Sequence, residues 1–136
     1  MKIKVKIINT KKEHEMCLAI RRQVFILEQN ISKQMETDDH LVNATHILAF
    51  SKEKARYRRT DSGIKLERFA VLKQFRNLGI GKALVLFILE KLKNEKFIYL
   101  NAQESVIGFY DNLGFDPIGE FFYEAEIPHQ KMVYSG

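Results

Sequence analysis

The chain has 136 residues, enough for one domain that buries about two-thirds of its unfolded surface around a single core. Its longest apolar run, 83–89, is far shorter than the ~20 residues that span a bilayer, and its first residues alternate like a strand, so we expect a cytoplasmic protein without a membrane partner. The net charge is +5 and basic residues concentrate between 52 and 68. No stacking motif, zinc-finger spacing or helix-turn-helix pattern accompanies them, so nucleic acid is not a predicted partner.

Apolar periodicity and turn signals predict strands and helices along the chain. The first helix begins at a capping box, since Thr10 lies three positions before Glu13, and an apolar stripe at helical spacing follows. The polar stretch 30–43 lacks such periodicity and is predicted only as a loop or a short helix. The predicted strands cover 2–8, 45–51, 55–60, 64–72, 97–102, 118–124 and 131–134, and the predicted helices cover 11–28, 79–94 and 106–113. This order, β-α-β-β-β-α-β-α-β-β, indicates an α/β fold with one mixed, mostly antiparallel sheet and helices on both faces.

A glycine-containing junction joins one predicted strand to the helix that follows it. It reads R-x-x-G-x-G, with Arg76, Gly79 and Gly81 at the defined positions. Two glycines allow a tight turn, and the first turn of a helix offers unpaired N–H groups and a positive dipole end, which together bind phosphate. The nucleotide-triphosphate loop is not matched because Ala83 replaces its magnesium-binding hydroxyl, and the dinucleotide fingerprint is not matched because Leu84 replaces its third glycine.

The junction resembles the pyrophosphate-binding loop of the GNAT N-acetyltransferase superfamily. Two further landmarks of that family occur in the expected order, the apolar-Ala-Val run 69–71 before the loop and the F-Y-x-x-x-G-F segment 109–115 after it. Together with the segments 100–103 and 127–129, they are similar to the ElaA-like branch, which YjcF-type proteins also represent. Because the resemblance runs from the first helix to the C-terminus, we predict a single GNAT domain over 1–136.

The resemblance implies direct transfer of an acetyl group from acetyl-CoA to the primary amine of a small molecule, with acetyl-CoA as cosubstrate and no metal. In this family, backbone amides of the loop and the first helical turn hold the pyrophosphate, and the strand before the loop holds the pantetheine arm. A glycine-rich cap that only shapes the loop is the structural alternative. The predicted CoA-binding residues are Phe69, Ala70, Val71, Arg76, Asn77, Leu78, Gly79, Ile80, Gly81, Lys82 and Ala83.

Three polar side chains receive catalytic roles from their positions in the family pattern. Asn101 lies where two strands are expected to splay apart and would orient the acetyl carbonyl, or it only ends a strand. Glu67 would accept a proton, because an alkylamine with a pKa near ~10.4 is protonated at neutral pH and cannot attack; alternatively, it pairs with Lys65 or Arg68 on a sheet face. Tyr110 would protonate the departing thiolate, as the matching tyrosine does in many family members, or it is a core side chain.

The acceptor site is expected among the first helix, the loop after it and the last strands, as the resemblance implies. Acidic side chains there would suit a cationic amine. A metal site in the segment 38–40 is not predicted, because no third ligand occurs at a fixed spacing. The predicted acceptor-binding residues are Phe25, Glu28, Gln29, Asp38, Asp39, His40 and His129.

Two other functions stay open at this point. A regulatory module could keep the acetyl-CoA pocket, bind a protein partner and catalyse little. Acetylation of protein lysines or N-termini also stays open, since local motifs do not indicate the width of the acceptor groove. The oligomeric state is unreadable from the sequence, and a homodimer is one option.

Overall fold

The computed structural model describes residues 5–31, 44–49, 53–71 and 79–136. Their strands are β1 (Val5–Ile7), β2 (Thr45–Ala49), β3 (Glu53–Thr60), β4 (Gly63–Val71), β5 (Ile98–Gln103), β6 (Phe115–Glu124) and β7 (Ile127–Tyr134). They form one open sheet of seven strands in the spatial order β1-β2-β3-β4-β5-β7-β6. Neighbouring strands are antiparallel except β4 and β5, which are parallel. The predicted mixed, mostly antiparallel sheet is therefore confirmed.

The last two strands are longer than the sequence predicts, because both begin before the expected 118 and 131. Each contains a proline near its start, and the missing N–H weakens a strand signal in the sequence. Pro117 lies on the edge strand β6, and Pro128 is the second residue of β7, where the sheet tolerates the loss of a donor. A tight turn at Ala125 and Glu126, both with positive φ, joins the two strands.

The helical elements are α1 (Lys11–Arg21), a π-helical segment (Arg22–Glu28), α2 (Ile80–Lys91), a 3₁₀ turn (Glu104–Val106) and α3 (Ile107–Asp111). The capping box at the start of α1 is confirmed: the Glu13 amide donates to the Thr10 hydroxyl over 3.1 Å, and the Thr10 amide donates to the Glu13 carboxylate over 3.2 Å. The predicted helices 79–94 and 106–113 end early. After each helix the chain tightens into a turn with a hydrogen bond between residues three apart. The Glu95 amide donates to the Leu92 carbonyl, and the Leu113 amide donates to the Tyr110 carbonyl.

The prediction of one continuous α-helix over 11–28 is wrong beyond Arg21, where the helix widens to a π-helical turn. The Gln29 amide donates to the Val24 carbonyl over 3.0 Å, five residues back. The wider turn buries the adjacent residues Val24 and Phe25 together. π-Helical turns recur at functional sites, and this one lies beside the cleft described below.

Two apolar clusters lie on opposite faces of the sheet. Side chains of α2, including Leu84 and Ile88, pack on one face against Leu66 and Leu100 of the central strands. Side chains of α1 and the π-helical segment form the second cluster, which also contains Ala70 of β4. The sheet is thus covered by helices on both faces, as predicted.

A β-bulge moves the end of β4 from one cluster to the other. Pairing with β3 jumps from Glu67, opposite Arg56, to Ala70, opposite Lys54, so β4 holds one extra residue. Arg68 within the bulge has a φ of 56°, in the left-handed region that an arginine seldom adopts. The bulge explains why Leu66 packs beneath α2 and Ala70 packs beneath α1, although residues four apart in a regular strand share a face.

The parallel strands β4 and β5 separate after three residue pairs. Their ladder ends at Leu66 and Leu100, and β5 then pairs on its other side with β7 as far as Gln103. The predicted separation of these strands is present in the fold. It opens a gap in the middle of the sheet at the position of the bulge.

Candidate active site

A cleft of about 930 Å³ occupies the gap between β4 and β5. It is lined by the N-terminus of α2, the bulge of β4, the second half of β5, the π-helical segment, α3 and the turn between β6 and β7. The predicted site residues that line it are Phe25, Glu28, Gln29, Glu67, Phe69, Gly79, Ile80, Gly81, Lys82, Asn101, Tyr110 and His129. Arg76, Asn77, Leu78, Asp38, Asp39 and His40 lie outside the described residues.

Two predicted CoA-binding residues whose side chains the structure describes, Ala70 and Ala83, are not part of the cleft lining. Ala70 is buried in the apolar cluster beneath α1. Val71 is described as the last residue of β4, and Ala83 lies in the first turn of α2, where its amide donates to the Gly79 carbonyl over 3.1 Å. Phe69 of the 69–71 run lines the cleft.

The start of α2 is suited to an anionic ligand. Gly79 caps the helix with a φ of 80°, and a Cβ placed on it would meet no atom within 4 Å. Glycine is therefore favoured here by its backbone conformation, and the space in front of the helix is open in the described structure. No acidic residue lies in the first turn to offset the positive end of the dipole, and Lys82 adds a positive charge to the lining.

Glu67 is held by cations on its own strand and on β3. Its Oε2 accepts from Nε of Arg56 over 2.6 Å and from Nε of Arg58 over 3.0 Å, and Lys65 Nζ lies 3.4 Å from Oε1. Burial alone would raise the pKa of Glu67, but the hydrogen bond from Arg58 and the charges of Arg56, Lys65 and Arg58 lower it to about 2. So weak a base remains ionised at neutral pH, and the geometry favours the pairing interpretation over proton acceptance. The partners from β3 were not predicted, because they depend on strand register.

Tyr110 of α3 joins the core to the cleft. Its ring makes edge contacts with Phe69, Phe109 and Phe115 at centroid distances of 5.8, 5.1 and 5.9 Å. It belongs to the cluster on the α2 side of the sheet and also lines the cleft. Tyr110 therefore packs in the core and also lies at the cleft.

Several polar side chains of the cleft lie on the other face of the sheet, toward α1. Leu100 and Ala102 pack in the α2 cluster, so alternation along β5 directs Asn101 and Gln103 toward the α1 side. Asn101 directly follows the last residue that pairs with β4, as expected. His129 of β7 is paired with Gln103 in the register and lies on that same face.

Sequence reasoning missed Gln103 and Glu124 as cleft residues. The side-chain amides of Gln29 and Gln103 exchange two hydrogen bonds of 3.1 and 3.2 Å, which tie the end of the π-helical segment to the end of β5. Glu124 places Oε2 3.9 Å from Nε2 of His129. Strand alternation could have identified Gln103, since it lies two residues after Asn101 and so on the same face.

Neither a metal centre nor a membrane span is present among the residues that the structure describes. These residues bring no three histidine, cysteine, aspartate or glutamate side chains together as ligands. Within the same ranges, no helix is long and apolar enough to cross a bilayer.

Comparison with known proteins agrees with this arrangement. The family model for the acetyltransferase (GNAT) domain matches residues 9–135. The chain belongs to the GNAT acetyltransferase family. It is 34% identical over 122 residues to the uncharacterized N-acetyltransferase YjcF of Bacillus subtilis (strain 168), covering 84% of this chain and 86% of that protein. It is 31% identical over 123 residues to protein ElaA of Escherichia coli (strain K12), covering 82% of this chain and 80% of ElaA.

Solved structures give the same assignment. The crystal structure of Escherichia coli ElaA superposes with a TM-score of 0.85 at 26% identity, covering 98% of this chain and 99% of that one. An acyl-CoA N-acyltransferase from Pseudomonas aeruginosa superposes with a TM-score of 0.85 at 24% identity and the same coverage, which supports the fold. The protein is thus an acyltransferase of the GNAT family with the acyl-CoA N-acyltransferase fold.

The cleft fits the acyl-CoA that GNAT enzymes use. The N-terminus of α2, the left-handed cap at Gly79 and the charge of Lys82 suit a pyrophosphate. The β4–β5 ladder ends at Leu66, and the bulge of β4 that follows, with Arg68 and Phe69, lines the cleft, where an extended pantetheine arm can lie along the strand.

Proposed function

We propose that this GNAT enzyme transfers the acetyl group of acetyl-CoA to the primary amine of a small molecule. The observation that carries the proposal is a cleft in the sheet, with the N-terminus of α2 and Lys82 on one side and polar groups on the α1 side. Such a gap brings two substrates together from opposite faces. Proximity of this kind removes much of the entropic barrier to a bimolecular reaction.

The two sides of the cleft suit different parts of the reaction. Acetyl-CoA supplies an activated acyl group as a thioester. On the α2 side, Tyr110 lines the cleft and would donate a proton to sulfur, and the amides at the start of α2 would hold the phosphates. On the α1 side, Glu28, Gln29 and His129 face the acceptor, and the carboxylate of Glu28 attracts an ammonium group.

A small acceptor is favoured over a protein because of the Gln29–Gln103 bridge. The two amides join the end of the π-helical segment to β5, and this link narrows the α1 side of the cleft. Asn101 precedes Gln103 by two residues on β5 and lines the cleft, and its side chain would orient the acetyl carbonyl. These groups would orient a compact amine with a few hydrogen bonds.

Release of free CoA with a panel of amines and peptides tests the proposal. Each primary amine is paired with its tertiary N,N-dimethyl analogue, which keeps the charge but cannot form an amide. We expect turnover with some primary amines, none with their tertiary partners, and weaker turnover with lysine-containing peptides. Peptides as the preferred acceptors would contradict the small-molecule assignment. Stabilisation by acetyl-CoA without turnover of any acceptor would instead indicate a CoA-binding regulatory module.

A further inference from the structure

We propose that His129 is the general base, with Nε2 accepting a proton from the ammonium group of the acceptor. This rests on the proposed function. In the step, the ammonium N–H bond breaks and an Nε2–H bond forms, which leaves a neutral amine and an imidazolium ring. The ring then returns its extra proton to solvent through the cleft.

The tautomer of His129 is fixed by the backbone of its own strand. Nδ1 lies 2.7 Å from the carbonyl oxygen of Ile127, and a carbonyl can only accept a hydrogen bond. Nδ1 therefore carries the proton in the neutral ring, and Nε2 carries the lone pair. The ring also stacks on Phe122, with a centroid distance of 5.9 Å and an interplanar angle of 24°, so its plane is held.

The position of His129 restricts proton exchange to the cleft. The residue is 7% exposed and lines the cleft. It is paired with Gln103, whose amide is bound to Gln29, so the imidazole lies beside an ordered polar wall. An amine placed against this wall lies within the reach of a ring whose orientation is already set, which is the requirement for general base catalysis.

The charged groups around the ring are consistent with this role. Glu124 places Oε2 3.9 Å from Nε2, too far for a hydrogen bond but close enough to form an ion pair once the ring is protonated. Among the residues that the structure describes, the other titratable or charged side chains that line the cleft are Glu28, Lys65, Glu67, Arg68, Lys82, Tyr110 and Tyr123. Among the carboxylates, Glu67 is occupied by Arg56 and Arg58, which makes it a poor proton acceptor.

The substitution His129→Asn tests the assignment because the Asn amide retains an N–H donor for Ile127 but has no basic nitrogen. We expect kcat/KM near neutral pH to fall by about 10²-fold, the usual worth of general base catalysis. The loss should shrink as the pH rises, because more of the acceptor is then unprotonated in solution. Thermal stabilisation by acetyl-CoA should stay unchanged. His14→Asn, on α1 outside the cleft lining, is the matched control and should keep the wild-type profile.

If His129→Asn is poorly folded, His129→Gln replaces it. A second acceptor provides an independent test of the base. A primary amine of low basicity, such as a hydrazide, is already unprotonated at neutral pH. We expect the variant to lose much less activity with the hydrazide than with an alkylamine. Equal losses with both acceptors, or a loss of one constant factor at every pH, would overturn the base assignment and leave the proposed function standing. If the wild-type protein acetylates no amine while acetyl-CoA still stabilises it, the proposed function fails and His129 as base fails with it.

Discussion

Gln29 and Gln103, separated by 74 positions in the sequence, exchange two side-chain hydrogen bonds across the cleft. Each amide donates to and accepts from the other, so both directions of hydrogen bonding are used. The pair joins the π-helical segment to β5 beside His129. Its reciprocal geometry makes the two residues a single unit, and loss of one leaves the other with unmade hydrogen bonds.

We therefore predict strong coupling between Gln29→Ala and Gln103→Ala. Each substitution should raise KM for the amine and lower kcat/KM by roughly tenfold, since hydrogen bonds of this kind contribute about 0.5–1.5 kcal/mol each. The double variant should lose little more than either single variant, because the same bonds are removed. Steady-state kinetics of the wild type, the two single variants and the double variant give this double-mutant cycle. The control is Gln130→Ala, because the Gln130 side-chain amide donates to the Gly119 carbonyl. Fully additive losses would show that the two residues act separately.

Glu67 gives a prediction about stability and pH. Its pKa is about 2 in the folded protein and is expected near 4.5 when unfolded, so its ionised form stabilises the fold above about pH 4.5. That contribution is lost as the pH falls from about 4.5 toward 2, and its upper limit is about 3 kcal/mol. Glu67→Gln should therefore lower the free energy of unfolding at pH 7, and its deficit relative to wild type should narrow in acid.

The matched control for this experiment is Glu95→Gln, which removes an exposed ion pair with Arg59 of 2.7 Å. Exposed pairs contribute about 0–1 kcal/mol, so this variant should unfold nearly like wild type at every pH. Urea unfolding between pH 3 and 8 measures both variants. A Glu67→Gln deficit that does not change with pH would show that packing, and not charge, explains the role of this side chain. The acid limb of the rate profile should not follow Glu67, because its pKa is too low.

We predict that Gly79 is needed both for the left-handed backbone conformation at the start of α2 and for acetyl-CoA binding. Gly79→Ala places a Cβ at a φ of 80°, which costs about 1–2 kcal/mol of stability. We expect it also to reduce the stabilisation by acetyl-CoA, which is roughly 2.7 kcal/mol at 100 times the Kd for a ligand that binds only the native state. Gly119→Ala is a close control, since Gly119 has a φ of 75° and no atom within 4 Å of its added Cβ, but lies outside the cleft lining.

Thermal melting with and without acetyl-CoA separates the two effects. Both glycine variants should melt below wild type, and the Gly119→Ala protein should keep the full shift on acetyl-CoA addition. An equal ligand-induced shift in both variants would remove the start of α2 from the CoA site.

Tyr110→Phe keeps the ring contacts with Phe69 and Phe115 and removes the hydroxyl. If Tyr110 donates a proton to the departing sulfur, kcat should fall by about 10²-fold with little change in stability. Tyr134→Phe, whose ring packs on Phe115 outside the cleft lining, should be nearly silent. Rates measured with a CoA-release assay decide the matter, and an unchanged kcat would assign Tyr110 to packing alone.

Local patterns in the sequence predicted the order of the elements and much of the cleft lining. The capping box at Thr10, the glycines at the start of α2 and the segment 109–115 are each patterns of residues close together in the sequence. Such patterns can be identified from one chain. The partners of Glu67 and Gln103 could not be identified this way. Arg56 lies opposite Glu67 in the β3–β4 register, and Gln29, at the end of the π-helical segment, meets Gln103 from a distant part of the chain. Long-range register and local helix widening leave no clear mark in hydrophobic periodicity.

Acetyl transfer to small amines is the central claim, and it is tested most directly by following a labelled acetyl group. The protein is incubated with isotopically labelled acetyl-CoA and the amine panel, and the label is traced by mass spectrometry in the low-molecular-weight fraction and in the protein itself. The proposed function predicts a labelled amide of a primary amine, formed in equal amount to free CoA and reduced about 10²-fold by Tyr110→Phe. Label found only in the protein fraction, or no amide despite bound acetyl-CoA, would contradict it.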